Sequence, residues 1–249
     1  MSRAVLTIDD APTKITPKII DYLQSKDIVP VINFMGCKID EYFEEAVYAV
    51  KSGITIGNHS FSHPHFSSIS LKECRDEIRK TEQEIDRVYA FAGMKRQHRV
   101  FRFPYGDNGG EQAALIQKML KEDFHFEKLD DSEIKLPFWK EEHIDQAIDM
   151  KWTFDFVEYQ MAWENDFTWD TIINHIHDKN PEMGGCLLGD KNTMNIILMH
   201  DMEETEAFME KYYEKLIDYV LSCDVEFIKP KFISTDKKIS GKLYQSYHS

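Results

Sequence analysis

Hydrophobic positions in this chain follow two alternating periods. Short apolar runs are followed by stretches with apolar residues three and four apart, the pattern of strands alternating with amphipathic helices. The first run, Ala4 to Ile8, ends in Asp9-Asp10, and Pro12 stops further strand pairing. Thr16-Pro17 reads as a helix start, with Ile19, Ile20 and Leu23 on one face. Val29 to Phe34 reads as a strand buried on both faces. Asp40 is placed to cap a second helix, carrying Ala46, Val47 and Val50 inward and ending at Ser52-Gly53. Ile54 to Gly57 is a short third strand. Ser70 and Glu73 form a capping box before a long helix with Leu71, Cys74, Ile78, Ile85 and Val88 in step.

The second half continues the alternation. Val100 to Phe103 reads as a strand, and Gly109-Gly110 leads into a helix holding Leu115, Ile116, Met119 and Leu120. Residues 125–150 are acidic and lack a clean period, so they read as an insertion forming a flap. Trp152 to Val157 resumes strand character. Thr168 caps a helix with Ile172, Ile173 and Ile176, and Asn195 to Met199 is another buried strand. One long amphipathic helix is expected over 204–222, with Met209, Tyr212, Leu216 and Val220 inward. A last strand is expected at 225–228 or 232–233. The alternation predicts an α/β fold of parallel strands and right-handed crossovers, as a single domain over 1–249. An open doubly wound sheet and a barrel both satisfy it, and both place active sites at the C-terminal ends of strands.

Composition narrows the partners. The net charge of −14 over 249 residues disfavours nucleic acid and anionic membrane. No apolar run approaches the about 18 residues of a membrane span. The N-terminus lacks an export-signal pattern, and Cys37, Cys74, Cys186 and Cys223 include no CxxC pair. Reduced, mostly buried thiols and a cytoplasmic location are the expectation, although a secreted chain trimmed of its signal reads the same.

Five strand ends carry chemistry. Asp9 and Asp10 are adjacent acids where the chain begins to turn, and a nearby cation would keep both ionised. His59 and His63 are four apart, so one helical turn brings both rings to one side. Two His and one Asp make the three-ligand set of a catalytic zinc-type site with an open position. His65 reads as a bystander. Arg102 is an expected partner for an acid on the same rim, and Asp155, Glu158 and His200 follow later apolar runs.

Together these residues resemble the polysaccharide deacetylase family, the NodB homology domain of carbohydrate esterase family 4. The matching segments are Thr7-Ile8-Asp9-Asp10, His59-Ser60-Phe61-Ser62-His63, Arg102 to Gly106, Asp155-Phe156-Val157-Glu158-Tyr159 and Leu198-Met199-His200. The resemblance implies a distorted (β/α)7 barrel and one divalent metal, zinc foremost, with cobalt, nickel or manganese as alternatives. It implies hydrolysis of an N-acetyl group from an amino sugar, with Asp10, His59 and His63 on the metal. Asp9 is implied as general base with Arg102 as its partner, and His200 as general acid tuned by Asp155. The Tyr105 backbone N–H is implied in the oxyanion hole, Leu198 beside the acetyl methyl, and Tyr159 in the substrate groove. Ala11 stands where the family commonly has Gly, and Glu158-Tyr159 where it has Asp-Trp. Hydrolysis of a non-sugar amide, or sugar binding without catalysis, are the alternative readings.

Overall fold

The computed structural model describes residues 2–179, 187–189 and 192–235. Its strands are β1 (Ser2–Ala11), β2 (Val31–Phe34), β3 (Thr55–Asn58), β4 (Lys128–Leu129), β5 (Phe154–Asp155), β6 (Met194–His200), β7 (Val225–Phe227) and β8 (Phe232–Ile233). Its α-helices are α1 (Thr16–Ser25), α2 (Phe43–Lys51), α3 (Leu71–Ala92), α4 (Ala113–Glu122), α5 (Pro137–Glu141), α6 (Gln160–Trp163), α7 (Trp169–His177), α8 (Glu203–Phe208) and α9 (Tyr212–Ser222).

β1 is the centre of a parallel sheet. It pairs with β2, β6 and β7, while β3 extends the sheet from β2 and β5 from β6. The ring then closes through backbone hydrogen bonds. Asn58 bridges Phe101, the Met150 N–H donates to the Phe101 carbonyl at 2.8 Å, and the Thr153 N–H donates to the Ile196 carbonyl at 2.9 Å. The result is a barrel distorted where two of its walls barely pair. Val100 to Phe103 contributes one bridge, and of Trp152 to Val157 only Phe154–Asp155 pairs as strand.

Strand alternation divides the core into two layers. Outward residues Ala4, Leu6 and Ile8 of β1, Ile32 and Phe34 of β2, and Ile197 and Met199 of β6 pack beneath the helices. There they meet Ile19, Ile20 and Leu23 of α1, Val47 and Val50 of α2, and Leu216 and Val220 of α9. Inward residues Val5, Val31, Val100 and Ile196 belong to a separate cluster inside the barrel. Continuing along those inward positions leads from Val5 to Thr7 and Asp9, from Val31 to Asn33, from Val100 to Arg102, and from Ile196 to Leu198 and His200. The barrel is therefore apolar at the N-terminal ends of its strands and polar at the C-terminal ends.

The 125–150 segment is not a flap. Leu129, Ile134, Trp139 and Met150 are buried against Val5, Val31, Val100 and Ile196, and β4 pairs antiparallel with β8. Its short elements follow an irregular backbone, which hides their burial from any periodicity. The two places offered for the last strand are both strands, β7 and β8. The helix expected over 204–222 is broken into α8 and α9, because Met209 is extended and Lys211 is left-handed at φ 57°. The break turns Tyr212 inward, where its hydroxyl donates to the His200 carbonyl. Asp40 does not cap α2, which starts at Phe43 without a side-chain cap; Asp40 pairs with Arg87 at 2.5 Å. Ser70 and Glu73 do form their capping box. Among the described residues Cys37, Cys74 and Cys223 are free thiols, with Cys37 exposed rather than buried; Cys186 lies outside them.

Trp139→Ala tests this packing. The indole is buried and its Nε1–H donates to Asp131 at 2.8 Å. Chemical denaturation is expected to show a loss of about 3–5 kcal/mol. A loss under about 0.5 kcal/mol would return the segment to the status of a flap.

Candidate active site

Asp9 and Asp10 face the same cavity because β1 bulges. Alternation alone would send them to opposite faces. Between Ile8 and Ala11 the register with β2 shifts, and Asp10 adopts φ 66°. A bulge of this kind re-aims one side chain. The backbone strain is held by its neighbours: the Lys38 ammonium donates to the Asp10 carbonyl at 2.7 Å.

Asp9 is fixed through one oxygen. Its Oδ1 accepts from Asn33 Nδ2 at 2.6 Å and from Arg102 Nη1 at 3.1 Å. Its Oδ2 lies 3.6 Å from His59 Nε2. Arg102 is fully buried and also donates to Thr7 Oγ1 and the Met150 carbonyl. Burial alone raises the Asp9 pKa, but Arg102, His59, His200 and the Asn33 hydrogen bond outweigh it and hold it below the usual carboxylate value. Gly57 makes room for this arrangement. A Cβ there would stand 2.0 Å from Asn33 Oδ1.

His59 and His63 converge, but not through a helical turn. They follow β3 in a loop where Ser60 and His63 are left-handed at φ 63° and 60°. Their Nε2 atoms are 3.2 Å apart, and lie 3.6 Å and 3.3 Å from Asp10 Oδ1. Ligands about 2.0–2.1 Å from a tetrahedral ion stand about 3.3 Å from one another, so the three atoms match a divalent cation. Two further observations agree. Asp10 Oδ1 is buried without a hydrogen-bond partner. His59 Nδ1 lies 3.0 Å from the Arg102 carbonyl, so an N–H there leaves the Nε2 lone pair facing Asp10. Burial, followed by the neighbouring His59, pushes the His63 pKa down to about 4, which keeps that ring neutral and able to coordinate.

His200 stands beside Asp9 as its register partner on β6. Its Nδ1 lies 3.5 Å from Glu158 Oε2 and 3.9 Å from Asp155 Oδ1, and its backbone N–H donates to Glu158 Oε1 at 2.5 Å. Burial depresses the His200 pKa, yet Asp155 and Glu158 together raise it to about 10. Burial also lifts Asp155 to about 6 against the pull of His200. Asp155, Glu158 and His200 are close enough to form a second potential ligand set. Asp155 and Glu158 are both placed to charge the imidazole, and Glu158 makes the closer contact.

A cavity of about 460 Å³ joins these groups. Tyr105, Leu198 and Tyr159 line it, as do Met35, Lys38, Phe103, Trp152, Trp163 and Met202. Tyr105 is left-handed at φ 57°, with its ring against His63 at 4.5 Å and stacked on His65 at 4.0 Å. His65 is tied to Asp107 at 3.3 Å, outside the Asp10 cluster. Tyr159 meets His200 edge to face at 4.7 Å.

Residues 2–122 match the family model for polysaccharide deacetylases. The chain belongs to the polysaccharide deacetylase family. The peptidoglycan-N-acetylglucosamine deacetylase of Bacillus cereus is 30% identical over 107 residues, covering 43% of this chain and 37% of that protein. This chain thus spans well under half of that relative. A solved peptidoglycan N-acetylglucosamine deacetylase, in complex with a naphthalenyl N-oxidanyl-benzamide, superposes with a TM-score of 0.61 at 20% identity. That alignment covers 91% of this chain and 85% of the other. A family 4 pseudoenzyme from Bacillus anthracis superposes at 0.58 and 20% identity, covering 91% and 64%. At this identity the structures establish the fold, and the pseudoenzyme shows that the fold alone does not fix the chemistry.

Within the family site, Asn33, Lys38 and Trp163 had no motif to mark them, whereas Thr7 opens the first matching segment. Asn33 had one faint signal, a polar residue inside the apolar run from Val29 to Phe34. Glu158→Gln removes one of the two charges on His200. The imidazole pKa is expected to fall from about 10, read as the pH midpoint of its NMR ring resonances. An unchanged midpoint would leave Asp155 as the only effective partner.

Proposed function

We propose that this chain is a metal-dependent hydrolase that removes N-acetyl groups from an amino sugar, free or within an oligosaccharide or polysaccharide. The observation that carries the proposal is the side-by-side placement of Asp9 and His200, register partners that line one cavity with Asp10, His59 and His63, where neighbouring charges lower the Asp9 pKa and raise that of His200. Amide hydrolysis needs a base for the attacking water and an acid for the departing amine, both present at once.

A divalent ion held by Asp10, His59 and His63 would polarise the substrate carbonyl and acidify water. The rest falls to the chain. Arg102 and Asn33 hold Asp9 by Oδ1, leaving Oδ2 to accept the proton of the attacking water. The Tyr105 N–H is assigned to the developing oxyanion, a contribution of about 3 kcal/mol for one donor. His200 gives its proton to the leaving nitrogen, and Asp155 and Glu158 keep that proton available near neutral pH. Buried Leu198 closes the cavity beside the acetyl methyl. The bacterial relative named for peptidoglycan N-acetylglucosamine supports the choice of sugar class.

The test is acetate release from a short N-acetylglucosamine oligomer by metal-replete protein, before and after chelation. Release is expected to stop with chelator and to return on adding zinc. Release that persists in metal-stripped protein would contradict the proposal, as would its absence in protein carrying about one divalent ion per chain.

A further inference from the structure

We propose that Trp163 is a sugar-stacking platform that makes the cavity selective for an oligomer of N-acetylated amino sugars over a single sugar. The inference rests on the reading of the site given above.

The rim carries two exposed aromatic rings. Tyr105 is 60% exposed and Trp163 62% exposed, yet both line the cavity. Tyr105 stands on the wall of His63. Trp163 packs against Tyr159 at 5.7 Å, and Tyr159 is itself against His200. Tyr159 and Trp163 are four residues apart across α6, so their rings succeed each other by one helical turn, about 5.4 Å. That step is comparable to the length of one pyranose ring. A sugar presenting its acetamido group to Asp9 and His200 therefore meets Tyr159, and its chain neighbour meets Trp163.

The chemistry of the rim selects the ligand. An indole left largely in water gains by covering its face, and the C–H face of a pyranose is apolar while its hydroxyls stay solvated. Trp163 makes none of the hydrogen bonds that fix Asp9 and His200, so its ring serves binding and not proton transfer.

The full chain carrying Trp163→Ala is compared with wild type and Trp163→Phe. Binding of the N-acetylglucosamine tetramer to chelated protein is measured by calorimetry, and acetate release is measured with monomer and tetramer. Trp163→Ala is expected to bind the tetramer about tenfold more weakly, as one lost aromatic contact implies. Its KM for the tetramer rises similarly, and by more than its KM for the monomer. Trp163→Phe restores most of the affinity. Equal tetramer affinity in Trp163→Ala and wild type overturns the proposal, as does an equal loss for monomer and tetramer. The calorimetry separates this proposal from the reaction assignment. Tetramer binding that depends on Trp163 in a protein that releases no acetate upholds the platform and rejects the hydrolase.

Discussion

The site depends on one constraint. Two neighbouring carboxylates on one strand must both enter the same cavity, and a regular strand forbids it. The bulge at the end of β1 resolves this by turning Asp10 left-handed while Asp9 keeps its inward place. The two acids then take separate partners. Asp9 is neutralised by Arg102 and oriented by Asn33; Asp10 keeps an unsatisfied oxygen beside two imidazoles. Without the bulge, Asp10 would point into the apolar helix layer, where an unpaired charge is costly.

The rest of the barrel supports that strand end. Arg102 reaches Asp9 because it is fully buried, and its donors are shared among Thr7, Asp9 and the carbonyls of Met150 and Lys151. Both carbonyls lie where the chain leaves the 125–150 segment, whose apolar residues fill the barrel floor. The segment that looked least organised in sequence thus bears directly on the charge of Asp9. On the other side, Asp155 and Glu158 act on His200 with opposite consequence: one strand end keeps an acid ionised and the next keeps a base protonated.

Legibility followed the same division. The strand-end residues could be read because short polar segments after apolar runs survive irregular geometry. Asp10, His59 and His63 converge as expected, although a left-handed loop replaces the helical turn inferred from their spacing. What escaped was set by tertiary contact. Leu129, Ile134, Trp139 and Met150 are buried without a repeating period, so acidic neighbours disguised them. The 204–222 pattern showed one apolar face but not the turn at Lys211 that brings Tyr212 to His200. Asn33 and Lys38 act through single hydrogen bonds that no spacing rule announces.

We propose that the adjacent acids at this bulge do different work, Asp9 on protons and Asp10 on a metal ion. Metal stoichiometry and acetate release, measured together on Asp9→Asn and Asp10→Asn, test it most directly. Asp9→Asn is expected to retain its divalent ion while acetate release falls by about 100-fold or more, and Asp10→Asn to lose both. Equal metal loss in the two variants, or full activity in Asp9→Asn, would contradict it.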